Sequence, residues 1–100
     1  MIIKCQDPDV CVVTGLVELA AANATQVRDE IRAALPPACT RLDLDFSTVT
    51  FVDSIGLGAL IALHKTLRSR LGTLRLLQPA PDVRQVLEMT RLHHLLELIP

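Results

Sequence analysis

Leu42-Asp43-Leu44-Asp45-Phe46-Ser47-Thr48-Val49-Thr50-Phe51-Val52-Asp53-Ser54-Ile55-Gly56-Leu57-Gly58 is the stretch from which the rest of the chain is read. Leu42–Phe46 alternates apolar and acidic residues and then reaches Phe46, the period of a strand with one face toward a core. Val49–Val52 is a second short apolar run that leads to the Asp53-Ser54 corner. Beyond it Leu57, Leu60, Ile61, His64 and Leu67 or Arg68 recur at helical spacing, which predicts a helix over Ile55–Arg70. Ser54 therefore stands where a strand region hands over to a helix, beside an acid and two glycines. The first N–H groups of a helix have no intrahelical partner and favour negative charge. A serine hydroxyl at that corner suits a phosphate, either bound from solution or attached to the serine itself.

The bulk composition narrows the function classes. One hundred residues make one small domain, and half of them are hydrophobic, so a core is available. Both aromatic residues are Phe, so the core must be built from Leu, Val, Ile and Ala. Ten basic and eleven acidic residues are interspersed and leave a net charge of −1. That balance argues against a nucleic-acid footprint and against an electrostatic membrane anchor. The uncharged stretch Ser54–Leu63 is too short to span a bilayer, and Lys4 and Asp7 come too early for a signal-peptide core. Cys5, Cys11 and Cys39 lack metal-type spacing and are expected as buried small hydrophobes in a reducing compartment, with no disulfide framework. The expectation is a soluble cytoplasmic domain without cofactor or metal.

The remaining elements follow outward from the corner. Ile2–Cys5 and Val10–Leu16 read as strands joined by the turn chemistry of Asp7-Pro8-Asp9, which gives a hairpin. Asn23–Leu35 reads as a helix, with Val27, Ile31, Ala34 and Leu35 on one face, Asn23 and Gln26 resembling a capping box, and Pro36-Pro37 ending it. Leu71-Gly72 is a helix stop and Thr73–Leu77 a strand. Asp82–Leu92 is a third helix with Asp82 as N-cap, and His93–Pro100 is an apolar tail. The order β-β-α-β-α-β-α predicts a mixed α/β sheet of about four strands, with the helices packed mainly on one face.

Leu42–Gly58, Gly72-Thr73-Leu74-Arg75-Leu76-Leu77 and Pro79–Glu88 together resemble a STAS domain of the anti-sigma factor antagonist family. The likeness runs from Val12 to Leu98 and makes residues 1–100 a single STAS domain. It implies that Ser54 is the phosphorylation target of a partner that is both anti-sigma factor and serine kinase, with a serine phosphatase reversing the modification. It places Asp53, Ile55, Gly56, Leu57 and Glu18 in the partner-binding surface. Two departures stand out: Ile55 replaces the Ser or Thr that often follows the target serine, and Gly15-Leu16-Val17-Glu18 replaces a Gly-Glu-Leu-Asp loop. The family also includes constitutive subunits of larger assemblies, such as an ATP-driven lipid transporter or a stress-signalling complex, which is the alternative reading.

Plainer roles compete with each of these. Ser54 is also a favoured N-cap residue, and Asp53 could satisfy backbone N–H groups at the corner. Gly58 is expected where helix packs tightly on sheet. His64 reads as a half-buried scaffold residue, and His93 and His94 point apart as a poor metal pair. Asp43 and Asp45 share a strand face and read as solvated, since no nucleophile or metal site accompanies them. No Gly-rich phosphate loop or Ser-His-Asp set is present, so the chain is expected to bind and not to catalyse.

Overall fold

A computed structural model describes residues Met1–Pro100. The elements are β1 (Ile2–Asp7), β2 (Val10–Thr14), β3 (Glu18–Leu19), α1 (Ala24–Ala34), β4 (Arg41–Asp45), β5 (Phe51–Val52), α2 (Ser54–Arg68), β6 (Thr73–Leu77), α3 (Pro81–Met89), a 3-10 turn at Leu92–His94, and β7 (Glu97–Ile99). The main sheet has five strands in the order β1-β2-β4-β6-β7. Strands β1 and β2 form the expected antiparallel hairpin, and every other pairing in this sheet is parallel. Each parallel crossover steps the same way along the sheet. Right-handed connections that keep one direction lay their helices on one face, as the sequence order predicts.

That face holds the core. Cys11 and Val13, Leu42 and Leu44, and Leu74 and Leu76 alternate inward from β2, β4 and β6 and are fully or almost fully buried. They meet Val27 and Ile31 of α1, Ala59, Leu60, Leu63 and Leu67 of α2, and Val83 and Leu87 of α3 in one apolar cluster. Phe46 closes the end of β4 as the largest fully buried side chain. No helix is long and apolar enough to cross a membrane.

The structure corrects several expectations. The sheet has a fifth strand, because Glu97–Ile99 of the expected tail pairs with β6 from Arg75↔Glu97 to Leu77↔Ile99. Three residues are too few to carry a period-2 signal. A separate two-stranded ribbon, β3 with β5, pairs Glu18↔Phe51 and Leu19↔Val52, so the Gly15–Glu18 segment ends in a strand and Glu18 is half-buried. Asn23 builds no capping box. Its Oδ1 accepts from the Ala20 N–H and its Nδ2 donates to the Glu18 carbonyl, while Gln26 bonds Glu30. Helix α3 begins at Pro81 with Ala80 as N-cap, which leaves Asp82 inside the first turn.

Asp43 is only 3% exposed and not solvated. Its carboxylate takes Arg75 Nε at 2.8 Å and Nη2 at 3.0 Å, with Arg41 Nε at 3.5 Å. Arg75 is its register partner on β6, 32 residues away, so local sequence gave no sign of it. The bidentate pair makes the Arg75 guanidinium still harder to deprotonate. Cys5 and Cys11 are disulfide-bonded across the hairpin, against the expectation of no disulfide; Cys5 is exposed, and only Cys39 is a free buried thiol.

The expectation for Gly58 is also corrected. A Cβ on Gly56 would sit 1.8 Å from the Leu19 carbonyl oxygen, whereas one on Gly58 would meet nothing within 4 Å. The tight helix-to-sheet approach is thus at Gly56. At the far end of α2, Leu71 and not Gly72 takes the left-handed conformation, with φ 57°. Gly72 is needed there because a Cβ would press on the Thr40 carbonyl oxygen at 2.5 Å.

Opposite outcomes follow for the two α2 glycines. Gly56→Ala must push the α2 start away from β3, and overpacking of this kind costs about 1–3 kcal/mol. Gly58→Ala removes only the conformational entropy of a helical glycine and stabilises by about 0.5–1 kcal/mol. Urea midpoints of the two variants against wild type measure the split.

Candidate functional site

The site lies at the carboxyl ends of β2 and β4, where open parallel sheets place their ligands. Strand β2 leaves the sheet through Gly15 and enters β3; β4 leaves through Phe46 and enters β5. Threonines join the two loops: Thr48 Oγ1 donates to the Leu16 carbonyl at 2.6 Å, and the Thr50 N–H donates to the Val17 carbonyl at 2.9 Å. The β3–β5 ribbon then delivers the chain to Asp53 and the start of α2.

Asp53, not Ser54, caps the helix. Its backbone is extended, and its Oδ1 accepts from the Gly56 N–H at 2.9 Å. Its Oδ2 accepts from the Ala21 N–H, also at 2.9 Å, across 32 residues. One carboxylate thus ties the α2 start to the loop after β3. The two N–H donors, Gly56 first, stabilise the charged form and hold the Asp53 carboxyl below its ordinary value of 3.8.

Because Asp53 has taken the cap, Ser54 is the first helical residue and its side chain is exposed. The hydroxyl is left to solvent at the positive end of a fifteen-residue helix. Ile55, next to Ser54 in the first turn, is 50% exposed, and Phe51, at the end of the ribbon that leads into the corner, is 55% exposed; Val17, 63% exposed, lies further back, level with Thr50. Glu18 joins them as the register partner of Phe51.

Among the residues singled out from sequence, Asp53, Ser54 and Ile55 share this surface, and Glu18 reaches it through the ribbon. Gly56 is buried, so its part is to let α2 approach Leu19. Leu57 is half-buried against the core. Sequence reasoning passed over Val17, Phe51 and Ala21. Phe51 could have been suspected: with one other aromatic residue in the chain, a Phe in so short a run beside the corner is conspicuous. No group of three or more His, Cys, Asp or Glu side chains is placed to hold a metal ion.

The capping carboxylate sets an acid dependence. Its pKa is lowered in the folded state, so its stabilisation is complete above 3.8 and is lost as pH falls below that value. Asp53→Ala is expected to lower the melting temperature by several degrees at pH 7. Asp53→Asn, which does not titrate, is expected to lose less of its stability than wild type does as pH falls below 3.8. Thermal melts across pH 2 to 7 check both.

Comparison with known proteins identifies the family and the fold. BtrV of Bordetella bronchiseptica, assigned as an anti-sigma factor antagonist, is 33% identical over 70 residues, which are 70% of this chain and 60% of the relative's length. The unphosphorylated form of the anti-sigma factor antagonist SpoIIAA superposes with a TM-score of 0.83 at 25% identity, over 98% of this chain and 86% of that one. The phosphorylated form of the Bacillus protein shares the fold with a TM-score of 0.74 at 24% identity, over 98% and 89%. An anti-sigma factor antagonist from Mycobacterium paratuberculosis gives 0.78 at 26% identity, over 99% and 83%. The family model described as Mlab, STAS domain, matches residues 6–99, and the chain belongs to the STAS domain family.

Proposed function

We propose that this chain is a phosphorylation-switched anti-sigma factor antagonist. In its unmodified state the surface of Val17, Glu18, Phe51, Ser54 and Ile55 docks on an anti-sigma factor and so frees a sigma factor for transcription. The same partner, acting as a serine kinase, transfers the γ-phosphoryl group of ATP to Ser54 Oγ, releasing ADP and the hydroxyl proton. A serine phosphatase hydrolyses the ester and restores binding.

One observation carries the reading: Ser54 is exposed, free of capping duty, and flanked along the chain by the exposed apolar residues Phe51 and Ile55. BtrV, SpoIIAA and the Mycobacterium paratuberculosis protein are anti-sigma factor antagonists, and SpoIIAA is known in both phosphorylation states. The electrostatics are consistent with a switch. Phosphate adds about −1.5 to −2 charges beside an Asp53 carboxylate that is already held ionised by its two N–H donors. The helix N-terminus offsets part of this locally, by about 0.3–1 kcal/mol, so the fold is kept while the docking surface becomes more strongly negative.

Incubation with ATP and serine kinases of the anti-sigma type, followed by mass spectrometry, is expected to place phosphate on Ser54. Ser54→Ala should fold with almost no loss of stability, since no cap is removed, and should bind the partner constitutively. Ser54→Asp should bind more weakly than wild type but less weakly than wild type is affected by phosphate. Stoichiometric phosphate on Ser47, Thr50 or Ser69 with Ser54 untouched would contradict the reading, as would equal affinity of all three forms.

A further inference from the structure

Phe51 is one of two aromatic residues in the chain, and the two are used in opposite ways: Phe46 is fully buried, whereas Phe51 is 55% exposed. Beside Phe51 an apolar groove of about 190 Å³ runs between β5 and α3. Phe51 and Val52 form one wall, Val83 and Val86 the other, and Thr50 and Asp82 stand at the rim. Met89, one turn beyond Val86 on α3, extends the apolar line into solvent at 76% exposure.

We infer that this groove is a socket for one apolar side chain on an amphipathic helix of the anti-sigma partner, with a Lys or Arg about one turn from that side chain. This rests on the proposed function, and it extends the interface from the Ser54 corner onto α3. Size favours a side chain over a metabolite, since small-molecule pockets begin at about 300 Å³. Continuity favours the same partner: Phe51 and Val52 line the groove and lead straight through Asp53 into Ser54. Charge selects the flanking residue. Asp82 stands on the rim, Glu18 faces Phe51 across the ribbon, and no Lys or Arg lines the groove. The nearest base on α3, Arg84, is turned to Glu88 and lines a different depression with His93 and His94. A helix laying apolar residues in such a groove is a recurring recognition mode, and exposed aromatics are typical anchors.

The test titrates the chain with the anti-sigma kinase that phosphorylates Ser54, using three variants that leave Ser54 intact. Val86→Glu, which puts charge in the socket, is expected to weaken binding about tenfold or more. Asp82→Lys at the exposed rim is expected to weaken it severalfold, with the deficit shrinking as salt rises. Val86→Ile keeps the socket apolar and should bind within about twofold of wild type. In the phosphorylation assay Val86→Glu should raise KM about tenfold and leave kcat within about twofold, because it removes docking and not chemistry. Melting temperatures near wild type exclude a folding defect, and Asp82→Lys alone decides the matter if Val86→Glu does not fold. If wild type and both charge variants bind equally, the groove is not an interface, although the Ser54 switch stands. If no kinase of this type binds or modifies wild type, the functional reading fails and the socket falls with it.

Discussion

The Asp53 carboxylate accepts one hydrogen bond from the first turn of α2 and another from the loop after β3, and the site is organised by that bridge. Both oxygens are committed to backbone N–H groups, so the residue is held in one rotamer and in its charged form. The bridge closes only because Gly56 lets the helix come down on the Leu19 carbonyl, where any Cβ would collide. Asn23 braces the other side by bonding Glu18 and Ala20 on the same loop. Three side-chain choices therefore fix the relative position of α2, β3 and the loop between them. Ser54 inherits its place without spending its hydroxyl. Had serine been the cap, phosphorylation there would break a bond that holds the helix start; with aspartate as the cap, the Ser54 hydroxyl is structurally idle.

Topology decides why this corner is available at all. Crossovers that all step in one direction place α1, α2 and α3 together on one face, and the helix starts and strand ends on that side gather at one rim. The opposite face of the sheet is bare of helices and is closed locally by charge. Asp43 lies between β2 and β6 with Arg75 and Arg41 over it, which is how a carboxylate becomes buried on an uncovered sheet. The two faces thus solve burial differently: one with an apolar cluster, the other with a cross-strand ion pair whose geometry is bidentate.

What was legible in the sequence, and what was not, divides along the range of the interaction. Leu42, Leu44, Leu74 and Leu76 carry their strand period in neighbouring residues, so β4 and β6 were found nearly to the residue. The stripes of α1 and α2 were read only in part: Val27, Ile31, Leu35, Leu60 and Leu67 are buried as expected, but Ala34 is exposed, Leu57, Ile61 and His64 are half-buried, and Ala59 and Leu63 complete the inward face of α2. Asp43 misled because its alternation is that of a solvated face, and only Arg75, thirty-two residues on, shows otherwise. The Cys5–Cys11 bond depends on the hairpin register and on oxidation, neither of which spacing alone fixes. β7 and the β3–β5 ribbon are too short to have a period. At the site itself, the Asp53-Ser54 corner was legible from local chemistry, but the division of labour within it was not. Both residues are good caps, and the choice between them is made by Ala21, a distant N–H with no sequence signature. The resemblance to a family supplied what physics could not, namely the expectation that Ser54 is the hydroxyl modified and the kind of partner expected to modify it.

The proposed switch then needs no second fold. A phosphate on the first helical residue lies at the favourable pole of α2, and that local gain is less than about 1 kcal/mol. Across an interface the balance reverses. Docking would enclose the same group beside Phe51 and Ile55, where stripping water from an unpaired charge costs several kcal/mol. Each 1.4 kcal/mol is about a factor of ten in affinity, so the loss amounts to orders of magnitude in binding with almost none in stability. The control is strongest when the charge appears at the centre of an apolar contact and not at its rim, where water would screen it. In the proposed switch the exposed apolar residues Phe51 and Ile55 would therefore play both parts: they would give the unmodified surface its affinity and make the modified one costly to bury.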